Sequence, residues 1–316
     1  MLIDKNNRKS IRSAFGNTLK TLGESNEDIV VLDADLACST QTKIFGDAFP
    51  ERFFNCGIAE QDMIATAVGL ASIGKTPFAA TFAMFATGRA YDQIRNSVCY
   101  PSFNVKIIGT HGGVTVGEDG ASHQALEDVS LMRGIPNMSV FMPADCRECE
   151  QIITFAANNP GPMYIRVPRT NVCDIFGDEY KFDFTKVKLI KSGHDVSVMT
   201  NGETLAEVIE AANELEAQGY SVQVIHVPVV KPIDTTGILE LVKNTKFIVT
   251  VENHSIIGGL GSAVCEIVSE YNPMKVYRIG VNDKFGQSGK WEELLEYYGL
   301  NAEKLTQKIK YFLDKN

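Results

Sequence analysis

The sequence predicts an α/β protein made of two doubly wound domains, and two observations carry that expectation. Short apolar runs alternate with helix-period segments along most of the chain, which implies parallel sheets covered on both faces. The alternation also breaks after Pro168 and starts afresh at Asp195. The expected division is therefore a domain over residues 1–170, a linker over 171–193 and a smaller domain over 194–316.

In the first domain the runs at 29–33, 76–80, 105–109, 139–142 and 163–167 read as strands, and 60–72 and 147–157 as helices. Phe53-Phe54-Asn55-Cys56 reads as a buried strand, with Gly57 making the turn into the helix that follows. Residues 170–193 carry mixed charge and little periodicity, as a linker or crossing segment does. The second unit opens with a strand in 195–202, then a helix over 204–218 that Gly219 should stop. Strands are expected at 222–225 and 247–251. The following Gly258-Gly259-Leu260-Gly261 lacks the G-x-G-x-x-G spacing of a dinucleotide site, so close helix-to-sheet packing is the better account of its glycines.

A chain of 316 residues has room for a substantial core in each of two domains. Its net charge of -9 argues against a nucleic-acid surface, which needs a clustered basic face. No apolar run reaches the ~18 residues of a membrane span, and the N-terminus lacks the apolar core of a signal peptide. The expectation is a cytoplasmic protein. Seven cysteines, an odd number scattered through apolar segments, fit reduced thiols. Cys146-Arg147-Glu148-Cys149 is a C-x-x-C; with no second pair or histidines at ligand spacing, zinc is disfavoured, and coincidence is favoured over a redox pair.

Glu60 is the most informative residue. It stands at the start of an apolar helix, and charged residues are rarely buried there without a partner. Either it stabilises the positive helix N-terminus, or it serves as a buried acid that can hold or share a proton near neutral pH. The segment after the next strand, Thr81-Phe82-Ala83-Met84-Phe85, places two aromatics three residues apart on one face of the coming helix. These rings are either ordinary core or a platform for a flat heterocycle whose nitrogen bonds Glu60. A glycine-rich loop, Gly109-Thr110-His111 through Gly117-Glu118-Asp119-Gly120-Ala121-Ser122-His123-Gln124, leaves a strand end where open α/β sheets place ligands. His111, Asp119 and His123 form a polar set suited to hydroxyl and carbonyl recognition and to proton transfer.

Taken together, Gly-Ile-Ala-Glu-Gln before an apolar helix, Thr-Phe-x-x-Phe, and Gly-Glu-Asp-Gly-x-x-His-Gln resemble the transketolase family of thiamine-diphosphate enzymes. The resemblance covers nearly the whole chain: a pyrimidine-binding domain, then the smaller transketolase C-terminal domain. It implies that Glu60 bonds the cofactor's aminopyrimidine, and that Asp35, Ile58, Phe82 and Phe85 complete the cofactor side. It implies that Glu60, His111 and His123 are catalytic, and that His111, Asp119 and His123 contact the sugar. Ser39, in Asp33-Ala34-Asp35-Leu36-Ala37-Cys38-Ser39, with Arg12 and Arg166, would hold a substrate phosphate, which suits arginine's planar donors.

Two departures from the family pattern stand out. Gly88 occupies the place of a third cofactor-pocket aromatic, with Tyr91 three residues later. The sequence also has no Gly-Asp-Gly to precede Asn-Asn, the pair through which the family holds the diphosphate and its metal. The resemblance therefore implies the C-terminal subunit of a split transketolase. It would work with an N-terminal partner that holds the diphosphate and a divalent metal, magnesium, in a two-plus-two assembly; no metal site is expected on this chain. The rivals are the β subunit of a 2-oxo acid dehydrogenase, a deoxyxylulose-phosphate synthase-like enzyme, and a non-catalytic interaction subunit.

Overall fold

The computed structural model describes residues 2–5 and 7–316. Its larger sheet has seven strands in the order Val229–Lys231, Ser139–Phe141, Met163–Val167, Lys106–Thr110, Thr76–Phe82, Ile29–Asp33 and Phe53–Asn55. Every pairing is parallel except the first. The strands' two-residue side-chain period divides their apolar residues between two cores. Val31, Phe78, Ala80, Ile108 and Ile165 pack with Phe15 and Leu19 of helix Ile11–Ser25 and with Ile152 and Ile153 of helix Cys146–Asn158. Val30, Leu32, Ala79, Ile107 and Tyr164 pack with Met63, Ile64 and Ala67 of helix Glu60–Ser72. Ser10 and Asp145 cap the first two of these helices by accepting from Ser13 N and Glu148 N.

Phe53–Asn55 departs from expectation. It is the outermost strand, paired on one side only, and Phe54 is 37% exposed rather than buried. The aromatic run FF reads as core in sequence, but a strand with a single neighbour leaves one of its faces open.

The smaller sheet runs Val276–Val281, Ile248–Ser255, Val196–Thr200, Val222–His226 and Lys188–Lys191. Its last strand is antiparallel and lies within the stretch read as a linker. The beginning of that stretch is tied down as well. Val172–Cys173 pairs with Arg8–Lys9, and Asp145 accepts the N–H groups of Ile175 and Phe176 at 2.8 and 2.7 Å. Helix Thr204–Ala217 ends before Gly219, whose φ of 92° is the left-handed conformation glycine supplies. At Gly-Gly-Leu-Gly the packing is as close as expected, since a Cβ on Gly259 would lie 2.0 Å from Glu252 Oε2. The same carboxylate accepts from Leu260 N and Gly261 N at 2.7 and 2.9 Å, capping helix Leu260–Tyr271 from inside.

The two sheets are not independent. Val229–Lys231 belongs to the second half of the sequence yet closes the edge of the first sheet, antiparallel to Ser139–Phe141. Among the described residues no helix is long and apolar enough to cross a membrane.

Candidate active site

The carboxyl ends of the large sheet's strands bring several of the expected residues together. Phe82 is the last residue of its strand, and Phe85 opens the π-helical turn Phe85–Arg89. The two do not share one helix, yet their rings lie nearly parallel, with centroids 5.9 Å apart and planes at 13°. His111 stacks on Phe82 at 3.8 Å, and His123 stands edge-on to Phe85 at 5.3 Å. Glu60 begins its helix close by and is 1% exposed. Its Oε2 accepts from Arg89 Nη1 at 2.7 Å, and the Arg89 guanidinium lies 4.6 Å from the Phe85 centroid. Tyr91 packs into the core beneath the sheet and adds no ring to this set, while a Cβ on Gly88 would meet only Met84 Cε.

His111 has a left-handed backbone, φ 59°, that turns its ring inward. Its Nδ1 lies 2.9 Å from Thr110 Oγ1. Burial first, then the positive charges of Arg12 and Arg169 and the nearby His123, push the imidazole down to about 3. It is neutral at physiological pH and can orient a hydroxyl or carbonyl without bringing a charge. His123 is half-buried, with Nδ1 3.0 Å from Ser122 Oγ. Asp119 is exposed at the loop's rim. So is Asp35, whose N–H donates to Asn55 Oδ1 at 3.0 Å. Ile58, in the turn before Glu60, is 77% exposed.

The arginines separate into two kinds. Arg166, expected at a phosphate, is 4% exposed and already committed. Its Nε pairs with Asp128 Oδ2 at 3.2 Å, Nη1 donates to Asn253 O at 2.9 Å, and Nη2 donates to Ala125 O at 3.2 Å. That expectation is not met: Arg166 is buried as an internal strut joining the two halves of the chain. Arg12 is open to a ligand. It donates from Nη1 to Ser39 O at 2.6 Å, which brings Ser39 beside it, while its buried Nε has no partner among the described residues. Burial and the neighbouring Arg169 both disfavour its charge. Arg169 bonds Val116 O and pairs with the exposed Glu118 at 2.9 Å. Two guanidinium groups that sense each other's charge, one with an unused buried donor, favour an anion beside them.

The thiols of Cys146 and Cys149 are both held in the protonated form by burial, Cys146 pushed up to about 12, which opposes redox exchange through a thiolate. Among the described residues no three His, Cys, Asp or Glu side chains converge as a metal site.

Residues 7–174 match the transketolase pyrimidine binding domain, and residues 185–305 match the transketolase C-terminal domain. This chain belongs to the transketolase family. A putative transketolase C-terminal section from Methanocaldococcus jannaschii is 48% identical over 305 residues, covering 95% of each chain. A 6-deoxy-6-sulfo-D-fructose transketolase subunit from a Clostridium species is 38% identical, over 94% of this chain and 92% of that one. Among solved structures, a split gene transketolase described as an inactive β4 tetramer is 46% identical with a TM-score of 0.88, over 98% of this chain and 99% of that one. The transketolase chain thus corresponds to the C-terminal section of split members of its family.

Thiamine diphosphate is the cofactor of the transketolase family, and the residues present fit its pyrimidine end. A buried carboxylate is tied through Arg89 to one of two near-parallel rings, and His111 and His123 pack against the same rings. Sequence reading missed Arg89 and Arg169. Arg169 had a signal, Pro168-Arg169 directly after the strand. Arg89 followed the glycine that replaces the family aromatic, and only the fold reveals that it meets Glu60.

Proposed function

We propose that this chain is the C-terminal subunit of a two-chain transketolase that moves a two-carbon ketol unit between sugar phosphates. The observation that carries the reading is the cluster of Phe82, Phe85, His111 and His123, with Glu60 tied to Phe85 through Arg89 and the charges of Arg12 and Arg169 acting on His111. Thiamine diphosphate, when bound, supplies the nucleophilic carbon and the electron sink for breaking a carbon–carbon bond beside a carbonyl. Glu60 holds a proton at the aminopyrimidine nitrogen, and the low-dielectric surroundings of its carboxylate strengthen that bond. Phe82 and Phe85 flank the ring. The neutral His111 and the half-open His123 orient the sugar's hydroxyl and carbonyl oxygens, with Asp119 at the entrance. Arg12, Arg169 and Ser39 grip the phosphate end. The arginine pair favours a phosphosugar over an uncharged 2-oxo acid side chain.

The diphosphate and its metal fall to an N-terminal partner carrying Gly-Asp-Gly and Asn-Asn, because this chain lacks the first of these. Assaying the purified chain with and without such a partner tests the reading. The chain alone should give no ketol transfer, and the mixture should restore it. Full activity from the chain alone would overturn the two-chain proposal, and turnover of 2-oxo acids but not sugar phosphates would overturn the substrate class.

A further inference from the structure

Glu60 is the buried acid that the proposed function assigns to the cofactor ring, yet its carboxylate already has a strong partner. Arg89 Nη1 donates to Glu60 Oε2 at 2.7 Å while the same guanidinium sits over Phe85, 4.6 Å from its centroid. One planar, donor-bearing group thus meets both demands that an aminopyrimidine would meet: a hydrogen bond to the buried carboxylate and an aromatic face to lie against. The contrast in exposure is informative. Glu60 is 1% exposed and the Arg89 side chain 46% exposed, so the guanidinium is the movable member of the pair. The backbone also leaves it room. Phe85 and Arg89 are the first and last residues of a π-helical turn, a wider turn than an α-helix makes and one that recurs at functional sites. Gly88, immediately before Arg89, contributes no side chain where the family resemblance implies a ring.

We propose that Arg89 is a stand-in for the cofactor ring: it neutralises and covers Glu60 in the unloaded chain, and the aminopyrimidine must displace it to bind. The inference rests on the thiamine-diphosphate reading of this site and adds a residue that gates loading. A carboxylate left alone in this position would carry a desolvation penalty, so the pair stabilises the unloaded chain. The same bond opposes loading, because the incoming ring must break it before making its own. The loaded chain then leaves the guanidinium free beside the site, where it can meet an anionic group of the cofactor or of the partner chain.

The test uses the full chain and the bare aminopyrimidine of the cofactor as probe, with binding followed by calorimetry. Arg89→Met keeps the length and removes the charge, and should bind the probe at least about tenfold more tightly than the wild type, the size of one charge-assisted hydrogen bond. Arg89→Lys, which keeps a charge but not the flat face, should fall between them. The double variant Glu60→Gln with Arg89→Met should lose the gain. In the wild type, saturating probe should move the Arg89 guanidinium NMR signal to the position it has in Glu60→Ala, which leaves no acceptor for it. Equal or weaker binding by Arg89→Met would overturn the inference and make Arg89 part of the binding face. An unmoved guanidinium signal under saturating probe would also overturn it, and this reading needs no variant at position 89 to fold. Absence of binding to every chain overturns it as well, since removing this one guanidinium is held to open the site. The thiamine reading fails separately, if Glu60→Gln leaves exchange of the cofactor's C2 proton unchanged in the two-chain enzyme.

Discussion

Two glycine-rich passages leave the carboxyl ends of parallel strands in this chain, one after Lys106–Thr110 and one after Ile248–Ser255, and they end in opposite conditions. In the second, the chain satisfies itself. Glu252 takes the N–H groups of Leu260 and Gly261, the backbone donors a ligand anion would otherwise use, and His254 bonds Ser255 O through Nδ1 at 2.6 Å and Ser130 N through Nε2 at 3.4 Å. In the first, polar groups are left over. His111 turns its ring to Phe82, Gln124 Oε1 in the loop and Arg12 Nε on the neighbouring helix have no partner, and the charges of Arg12 and Arg169 both act on His111. The second passage also supports the first, since Asn253 Oδ1 accepts Val114 N at 2.9 Å under the histidine loop. Parallel-sheet topology supplies two equivalent places for a ligand, and the one whose polar groups lack internal partners is where the proposed function puts it. The other is foundation.

The sharpest way to test that division is at Glu60. Glu60→Gln keeps the shape and loses the acid, so exchange of the cofactor's C2 proton in the two-chain enzyme should slow by about a hundredfold or more, the range of a positioned acid or base. A helix-stabilising carboxylate alone would cost ~1 kcal/mol of stability and leave exchange untouched. Next come the two arginines. Arg169→Ala should lower kcat/KM for a sugar phosphate by roughly ten- to a hundredfold and spare a short unphosphorylated donor. Arg166→Ala should instead lower stability by about 3–5 kcal/mol, because Asp128 is left buried and unpaired. If the two substitutions exchange these effects, the strut and the anion site have been assigned in reverse.

At the closed passage, Glu252→Ala should cost about 1–2 kcal/mol, as the loss of a helix cap does, with kcat unchanged in the two-chain enzyme. A loss of turnover larger than the loss of folded protein would break the comparison. The last effect is with pH. His111 lies at about 3 in the folded chain against 6.5 unfolded, so between those values the unfolded chain binds more protons. Its contribution is fully present above pH 6.5 and is lost as the pH falls towards 3. The slope approaches about 1.4 kcal/mol per pH unit. His111→Gln should flatten that part of a denaturation-versus-pH curve.

What the sequence disclosed follows the range of the interactions involved. Strand and helix positions and the close glycines at 259 and 261 depend on neighbours a few residues away, and they were legible. Glu60 with Phe82, and His111 with His123, could be named because each lies in a short run with distinctive residue types. Arg166 was misread because its partners, Asp128 and Asn253, are 38 and 87 positions away, and nothing local says that a strand arginine turns inward to meet them. Phe54 was misread for a related reason: the number of neighbours a strand has is decided by sheet order. Arg89 shows the same limit, since its meeting with Glu60 depends on the π-helical turn that carries it back to another strand's end.

Val229–Lys231 has a consequence for how such a chain can be cut. This short strand comes from the second unit but finishes the first sheet, so a break between the two units would strip one border of the larger sheet and bare the Ser139–Phe141 backbone to pairing with any passing strand. The two family domains can be delimited along the sequence, yet the first is not portable without a borrowed segment from the second. A gene could be divided ahead of this pair at little cost in folding, whereas a division inside it would leave each half unfinished.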